Sequence, residues 1–203
     1  MPKNAFNSIN RRVLIRNLKV LCPDISIFAE NLYSIPARLF VAGGMKIVSE
    51  EGTTQGCPLS MPSYAIGLLP LMMRTGNYEE SSKVKQSAYA DDVCGAGRLK
   101  ELKRWWEIIV KYGPCIGYFA EPKKSWMIVK PEHKEQAVKL FGGSDINKTQ
   151  NGNKHLGAAI GTENFKDSFV EEKVEIWVKQ VEELSKIAWV DPHLAYSAFI
   201  HGL

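Results

Sequence analysis

Tyr89-Ala90-Asp91-Asp92 sits between two short runs with strand character, residues 83–89 and 93–96. Its reading decides the fold. The two runs are strands of one β-hairpin, with Asp91-Asp92 at the turn between them. On a regular strand, adjacent side chains point to opposite faces. At a turn, both carboxylates can reach one site. Two like charges held together are costly unless a cation lies between them. Mg²⁺ is the natural candidate, because one or two carboxylates plus substrate phosphates usually hold it. Asp is also a favoured turn residue, and the dipeptide by itself is more often a solvated turn.

Working outward, Gly52-Thr53-Thr54-Gln55-Gly56-Cys57-Pro58-Leu59-Ser60 leads into a nearly all-apolar helix over 59–73, with Pro62 in its first turn. Taken alone this is a loop and a helix cap, in which glycine lets the backbone approach a ligand and Pro58 fixes the entry. Residues 37–41 and 45–49, around Gly43-Gly44, read as a hairpin. Ile9, Val13, Leu14, Leu18 and Leu21 recur at helical spacing. They predict a helix capped by Asn7 or Ser8 and stopped by Pro23.

Downstream of the hairpin, 98–112 is an amphipathic helix striped by Leu99, Leu102, Trp106 and Ile109 and ended by Gly113-Pro114. A strand over 125–129, a helix over 132–141, a strand over 155–160 and a long helix over 165–188 follow. In the long helix Val170, Val174, Trp177, Val181, Leu184 and Ala188 share one apolar face. Pro192 opens a last helix. Hairpins interspersed with helices favour an α+β fold, a sheet with helices on one face, over a doubly wound parallel sheet.

The chain has 203 residues, 45% hydrophobic and 24% charged, the profile of a globular protein with length enough for a real core. A net charge of +4 permits a polyanionic partner without requiring one. Cys22, Cys57, Cys94 and Cys115 form no Cys-x-x-Cys pair. That spacing disfavours structural zinc and suits reduced thiols inside a cell, in cytoplasm or nucleus. No signal peptide opens the chain, and the apolar stretch 64–73 is too short to span a bilayer and is broken by Pro70, so no membrane partner is expected.

Three motifs, Asn4-Ala5-Phe6-Asn7, Gln55-Gly56-Cys57-Pro58-Leu59-Ser60 and Tyr89-Ala90-Asp91-Asp92, occur in an order and spacing that resemble the reverse transcriptases of retroelements, from the first residues to about Ile160. By ordinary residue frequencies a Tyr-x-Asp-Asp falls in such a chain roughly a per cent or two of the time, and the motif before it lowers that further. The resemblance implies a polymerase palm over 1–161, a ferredoxin-like antiparallel sheet with helices on one face, and a helical connection to a thumb over 162–203. It implies an RNA-directed DNA polymerase that extends a primer with deoxynucleotides, using two Mg²⁺ (or Mn²⁺) ions in an intact member. An RNA/DNA primer–template and a deoxynucleoside triphosphate would be its partners.

Residue by residue, the resemblance makes Asp91 and Asp92 the metal-binding pair, Asp91 the surer ligand. Gln55 and Gly56 would pack against the incoming nucleotide and template base, with Tyr89 beside them. Phe6 falls where the family has an aromatic that blocks a ribose 2′-hydroxyl; with Tyr89 it argues against a ribonucleotide polymerase. Lys124, with Lys123 as the alternative register, resembles the lysine near the leaving pyrophosphate. His155-Leu156-Gly157 resembles the hairpin that holds the primer end.

The match departs where the family has an Asp five residues before the aromatic: here stands Met1, followed by Pro2. Cys57 and Glu121 replace residues common elsewhere in the family, but neither removes a metal ligand. The fingers are missing from this sequence and the thumb is incomplete. The chain taken alone is therefore expected to be inactive or nearly so. The alternative is a degenerate or co-opted fragment that binds nucleic acid or protein. The basic faces of the 98–111 helix and of Arg11, Arg12 and Arg16 read more simply as solvated surface, with Trp105 and Trp106 in the core. Trp177 and Trp189 read as core, or as a face awaiting a thumb.

Overall fold

Two buried leucines, Leu14 and Leu18, one helical turn apart, show how the amino-terminal part is built. The computed structural model describes residues 4–77 and 83–202. Met1 and Pro2, the two departures noted at the start of the chain, lie outside the described residues. A one-turn helix α1 (Ala5–Ser8) precedes α2 (Arg11–Leu21). Asn10, not Asn7 or Ser8, caps α2, its side chain accepting the Val13 N–H at 3.0 Å. Pro23 stops α2 and begins α3 (Pro23–Tyr33), because proline lacks the N–H a continuing helix needs while its fixed φ suits a first helical turn. Leu14, Leu18, Ala29 and Tyr33 make a small core between α2 and α3.

The Gly43-Gly44 hairpin forms as expected, with β1 (Ala37–Phe40) paired to β2 (Lys46–Ser49). The central helix α4 (Ser60–Asn77) places Tyr64, Leu68 and Leu71 on one face, against Ile9 and against Trp105 and Ile109. The latter two lie on α5 (Leu99–Tyr112). Between these helices runs the key hairpin, β3 (Lys85–Tyr89) and β4 (Asp92–Ala96). Its turn is Ala90-Asp91, and Asp92 already belongs to β4, opposite Tyr89. β5 (Trp126–Ile128), α6 (Lys134–Phe141), β6 (Asn147–Thr149), β7 (Gly152–His155), β8 (Ala158–Gly161), α7 (Glu163–Ala188) and α8 (Pro192–Gly202) complete the order.

The architecture is mixed helix and strand with small antiparallel sheets, as an α+β reading requires. The expected single sheet is not seen among the described residues, which form four two-stranded ladders, β1–β2, β3–β4, β5–β6 and β7–β8. Three of the four are local hairpins, which close through a short turn. A joined sheet needs strand pairs distant in sequence, at a larger entropic cost.

The chain divides into two compact units, one of Met1–Trp126 and Glu132–Asn147, the other of Met127–Pro131 and Lys148–Leu203. Within the second unit the β7–β8 hairpin packs on α7. Gly152 is packed so closely on the Phe165 ring that a Cβ would collide with it, and the Thr162 N–H donates to the Asn151 carbonyl at 2.7 Å. The strand expected over 155–160 is in fact this hairpin, turning at Leu156-Gly157. Thr162 caps α7, and Asp191 caps α8 through the Leu194 N–H at 2.9 Å. The apolar face of α7 is present but uncovered: Trp177 is 53% exposed and Trp189, just past the helix, 92% exposed. Neither is a core residue. Periodicity identifies which residues share a face, not what covers it. No described helix is long and apolar enough to cross a membrane.

Candidate functional site

The β3–β4 hairpin is held from behind by one polar residue. The register pairs Gln86 with Gly95 and Ala88 with Val93, so these four share the face toward α4 and α5. Gln86 Oε1 accepts from Trp105 Nε1 at 2.9 Å and from the Thr75 hydroxyl at 2.6 Å; its Nε2 donates to the Met72 carbonyl at 2.8 Å. Both ends of the amide are satisfied, so its burial costs little. Gly95 lies under Trp105, whose ring atoms would stand 3.2 Å from an added Cβ. A side chain there would require Trp105 or Val84 to give by a few tenths of an ångström.

The turn this anchoring positions is strained. Ala90 has a φ of +51°. An L-residue in the left-handed region pays roughly 1–2 kcal/mol, and such outliers persist only when their surroundings enforce them. Asp91 and Asp92 are half-buried beside it. Among the described residues neither carboxylate accepts a hydrogen bond or meets a cationic side chain. Burial first, then the charges of Asp91 and Asp92, push the Tyr118 phenol far above its ordinary range. For Tyr64 the causes are burial, then Tyr118, then Asp91. Both acids thus have Tyr118 in their electrostatic neighbourhood, and Asp91 has Tyr64 as well.

That neighbourhood contains Phe6. Its ring lies 4.7 Å from the Tyr64 ring, centroid to centroid, tilted by 36°. The loop carrying Gln55 is laid against the same turn of helix. Thr53 N–H donates to the Phe6 carbonyl at 2.6 Å and Gly52 N–H to the Ile9 carbonyl at 2.9 Å. Gly52, at φ +81°, approaches Phe6 and Asn7 too closely for any side chain. The Ser60 hydroxyl donates to the Thr54 carbonyl and closes the loop onto α4. A cavity of about 330 Å³ results, lined by Phe6, Gln55, Gly56, Cys57, Ser60 and Met61.

Arg11 is the residue that sequence reasoning placed wrongly. It is buried, not part of a solvated face. Its Nε donates to the Gly52 carbonyl at 2.8 Å, and Nη1 to the Ser49 carbonyl at 2.7 Å. Its backbone N–H donates to Glu51 at 2.8 Å, and its guanidinium stacks over Tyr33. Arg11 therefore ties the loop to α2 and α3, a role no helical periodicity reveals. Trp105 is core, and Trp106 is packed against it, as expected.

The remaining expected residues lie on other segments. Tyr89 is exposed at the end of β3. Lys124 is exposed, in a single 3-10 turn over Pro122–Lys124, and makes no ion pair with Asp91 or Asp92. His155 ends β7, and Leu156 and Gly157 form the β7–β8 turn in the second unit, with Leu156 at φ +48° and Gly157 at φ +85°. No group of three or more His, Cys, Asp or Glu side chains comes together among the described residues. Two half-buried carboxylates without a counter-charge are still a donor set that suits Mg²⁺ or Mn²⁺ when phosphate oxygens supply the rest. No known family model matches the chain, and no curated protein matches it either.

Proposed function

We propose that this chain is a palm of the reverse transcriptase type, in which Asp91 and Asp92 hold divalent cations against the phosphates of a deoxynucleotide. The observation that carries the reading is the pair of half-buried acids at the anchored β3–β4 turn, without a cationic partner among the described residues, in the same unit that gathers Phe6 and Gln55 around one cavity. When bound, the ions would stabilise the attacking and leaving oxygens of an in-line displacement at phosphorus. Asp91 and Asp92 supply the negative charge that holds them. Phe6 fills the space a 2′-hydroxyl would need, and Gln55 and Gly56 present a polar edge and a bare backbone to the base. Lys124 would serve a leaving pyrophosphate, and the His155–Gly157 turn a primer end. The primer–template is the larger partner.

We expect these 203 residues by themselves to bind without extending. A second reading is a co-opted nucleic-acid or protein binding fragment. Primer extension on an RNA template, with anisotropy of the labelled primer–template, separates them. We expect salt-dependent binding that Mg²⁺ and deoxynucleotide strengthen only when Asp91 and Asp92 are intact, and no extension above an Asp91→Ala control. Binding indifferent to both acids would favour the second reading. Extension above the control would contradict the expected inactivity.

A further inference from the structure

Tyr64 carries a hydroxyl that packing alone does not explain. The side chain is 1% exposed, and its oxygen is buried with no hydrogen-bond partner. Its ring would serve the core, and the contact with Phe6, equally well as a phenylalanine. A buried hydroxyl left unpaired costs roughly 1–3 kcal/mol. Tyr64 also occupies a particular place: on α4 it follows Met61 by three residues and Ser60 by four, so it lies beneath two residues that line the Phe6 cavity. It belongs to the same core cluster as Tyr118 and Val93, the latter next to Asp92 on β4. Among the described residues the carboxylates at the hairpin turn accept no hydrogen bond, and the charge they carry makes them the stronger acceptors beside this cluster.

We propose that the Tyr64 hydroxyl is a positioning donor for Asp91, satisfied when a divalent cation draws the carboxylate into its binding geometry. This rests on the reading of Asp91 and Asp92 as a cation site. Ligands of a metal are commonly oriented by such outer partners. The phenol is suited to the task. A phenol is protonated at ordinary pH and so can donate to a carboxylate. Phe6 fixes the ring, leaving rotation of the O–H as its main freedom.

The test uses the 203-residue chain and Mn²⁺ alone, followed by electron paramagnetic resonance and by the tyrosine near-ultraviolet difference spectrum. Tyr64→Phe should weaken Mn²⁺ binding by roughly 10-fold, the lower end of what loss of an outer partner costs. Its thermal midpoint should be unchanged or raised, since an unpaired polar group has been removed. Mn²⁺ should perturb the tyrosine spectrum of the wild-type chain, and that perturbation should be reduced in Tyr64→Phe, leaving the part due to Tyr118. If Tyr64→Phe binds Mn²⁺ like wild type while Asp91→Asn does not, the positioning role is overturned and the cation site stands. If Asp91→Asn also binds like wild type, the cation site itself fails.

Discussion

The β3–β4 and β7–β8 hairpins turn on two residues each, and each holds a non-glycine in the left-handed region, Ala90 at +51° and Leu156 at +48°. Their surroundings differ. Behind the first lies a buried core, with Gln86 fastened to two helices and two half-buried acids at the tip. At the second, the tip leucine is 52% exposed, and the ladder is backed by the half-buried ring of Phe165. A strained tip is therefore a property of tight hairpins here. Only at the first does packing convert it into a place where charges converge.

Substitutions behind each hairpin should separate the two most widely. Trp105→Ala removes a buried ring and the donor to Gln86, and should cost about 3–5 kcal/mol in denaturant unfolding. Phe165→Ala, at a half-buried ring, should cost about 1 kcal/mol, half of what full burial of such a side chain is worth. Equal costs would erase the distinction. A smaller effect is expected at the tips. Ala90→Gly and Leu156→Gly should each stabilise by about 1 kcal/mol, the strain of a left-handed L-residue. Ala90→Gly should also weaken Mn²⁺ binding, because a freer turn no longer holds the acids together. A stabilised Ala90→Gly with unchanged affinity would mean that the strain is only a by-product of the short turn.

The smallest effect is one of slope. Tyr64 and Tyr118 have folded-state pKa values raised above the ordinary 10.0. Above that pH the unfolded chain releases their protons before the folded chain does, so their contribution to stability is intact below pH 10 and falls as pH rises further. Comparing unfolding free energies just below and just above pH 10, the loss should be shallower in a Tyr64→Phe, Tyr118→Phe double variant. An identical slope would show that the phenols are not held as described.

Much of this was legible in the residues. Alternation and turn chemistry located the hairpins around Gly43-Gly44 and Asp91-Asp92, and periodicity located the helices. The gathering of Phe6 with Gln55 and Gly56 followed only from motif order, since residues fifty positions apart carry no local signal of contact. Less was legible where a polar group does structural work. Arg11 looks like surface on a helical wheel, yet three of its donor groups and its ring stack hold the Gln55 loop. Gln86 sits in a strand with nothing to mark it as an anchor. The apolar run over 155–160 reads as one strand by its residues, while the resemblance marks His155-Leu156-Gly157 as a hairpin, which is where the chain reverses. The uncovered face of α7 was visible as a pattern, while its exposure was not.

The account stands on the paired acids as a cation site, and a Mn²⁺ titration in the presence of a deoxynucleoside triphosphate tests that most directly. Wild-type chain should bind the ion saturably, and an Asp91→Asn, Asp92→Asn variant with an unchanged circular dichroism spectrum should lose affinity by more than the roughly 10–100-fold that an outer partner accounts for. A variant that folds normally and binds Mn²⁺ as tightly as wild type would contradict it.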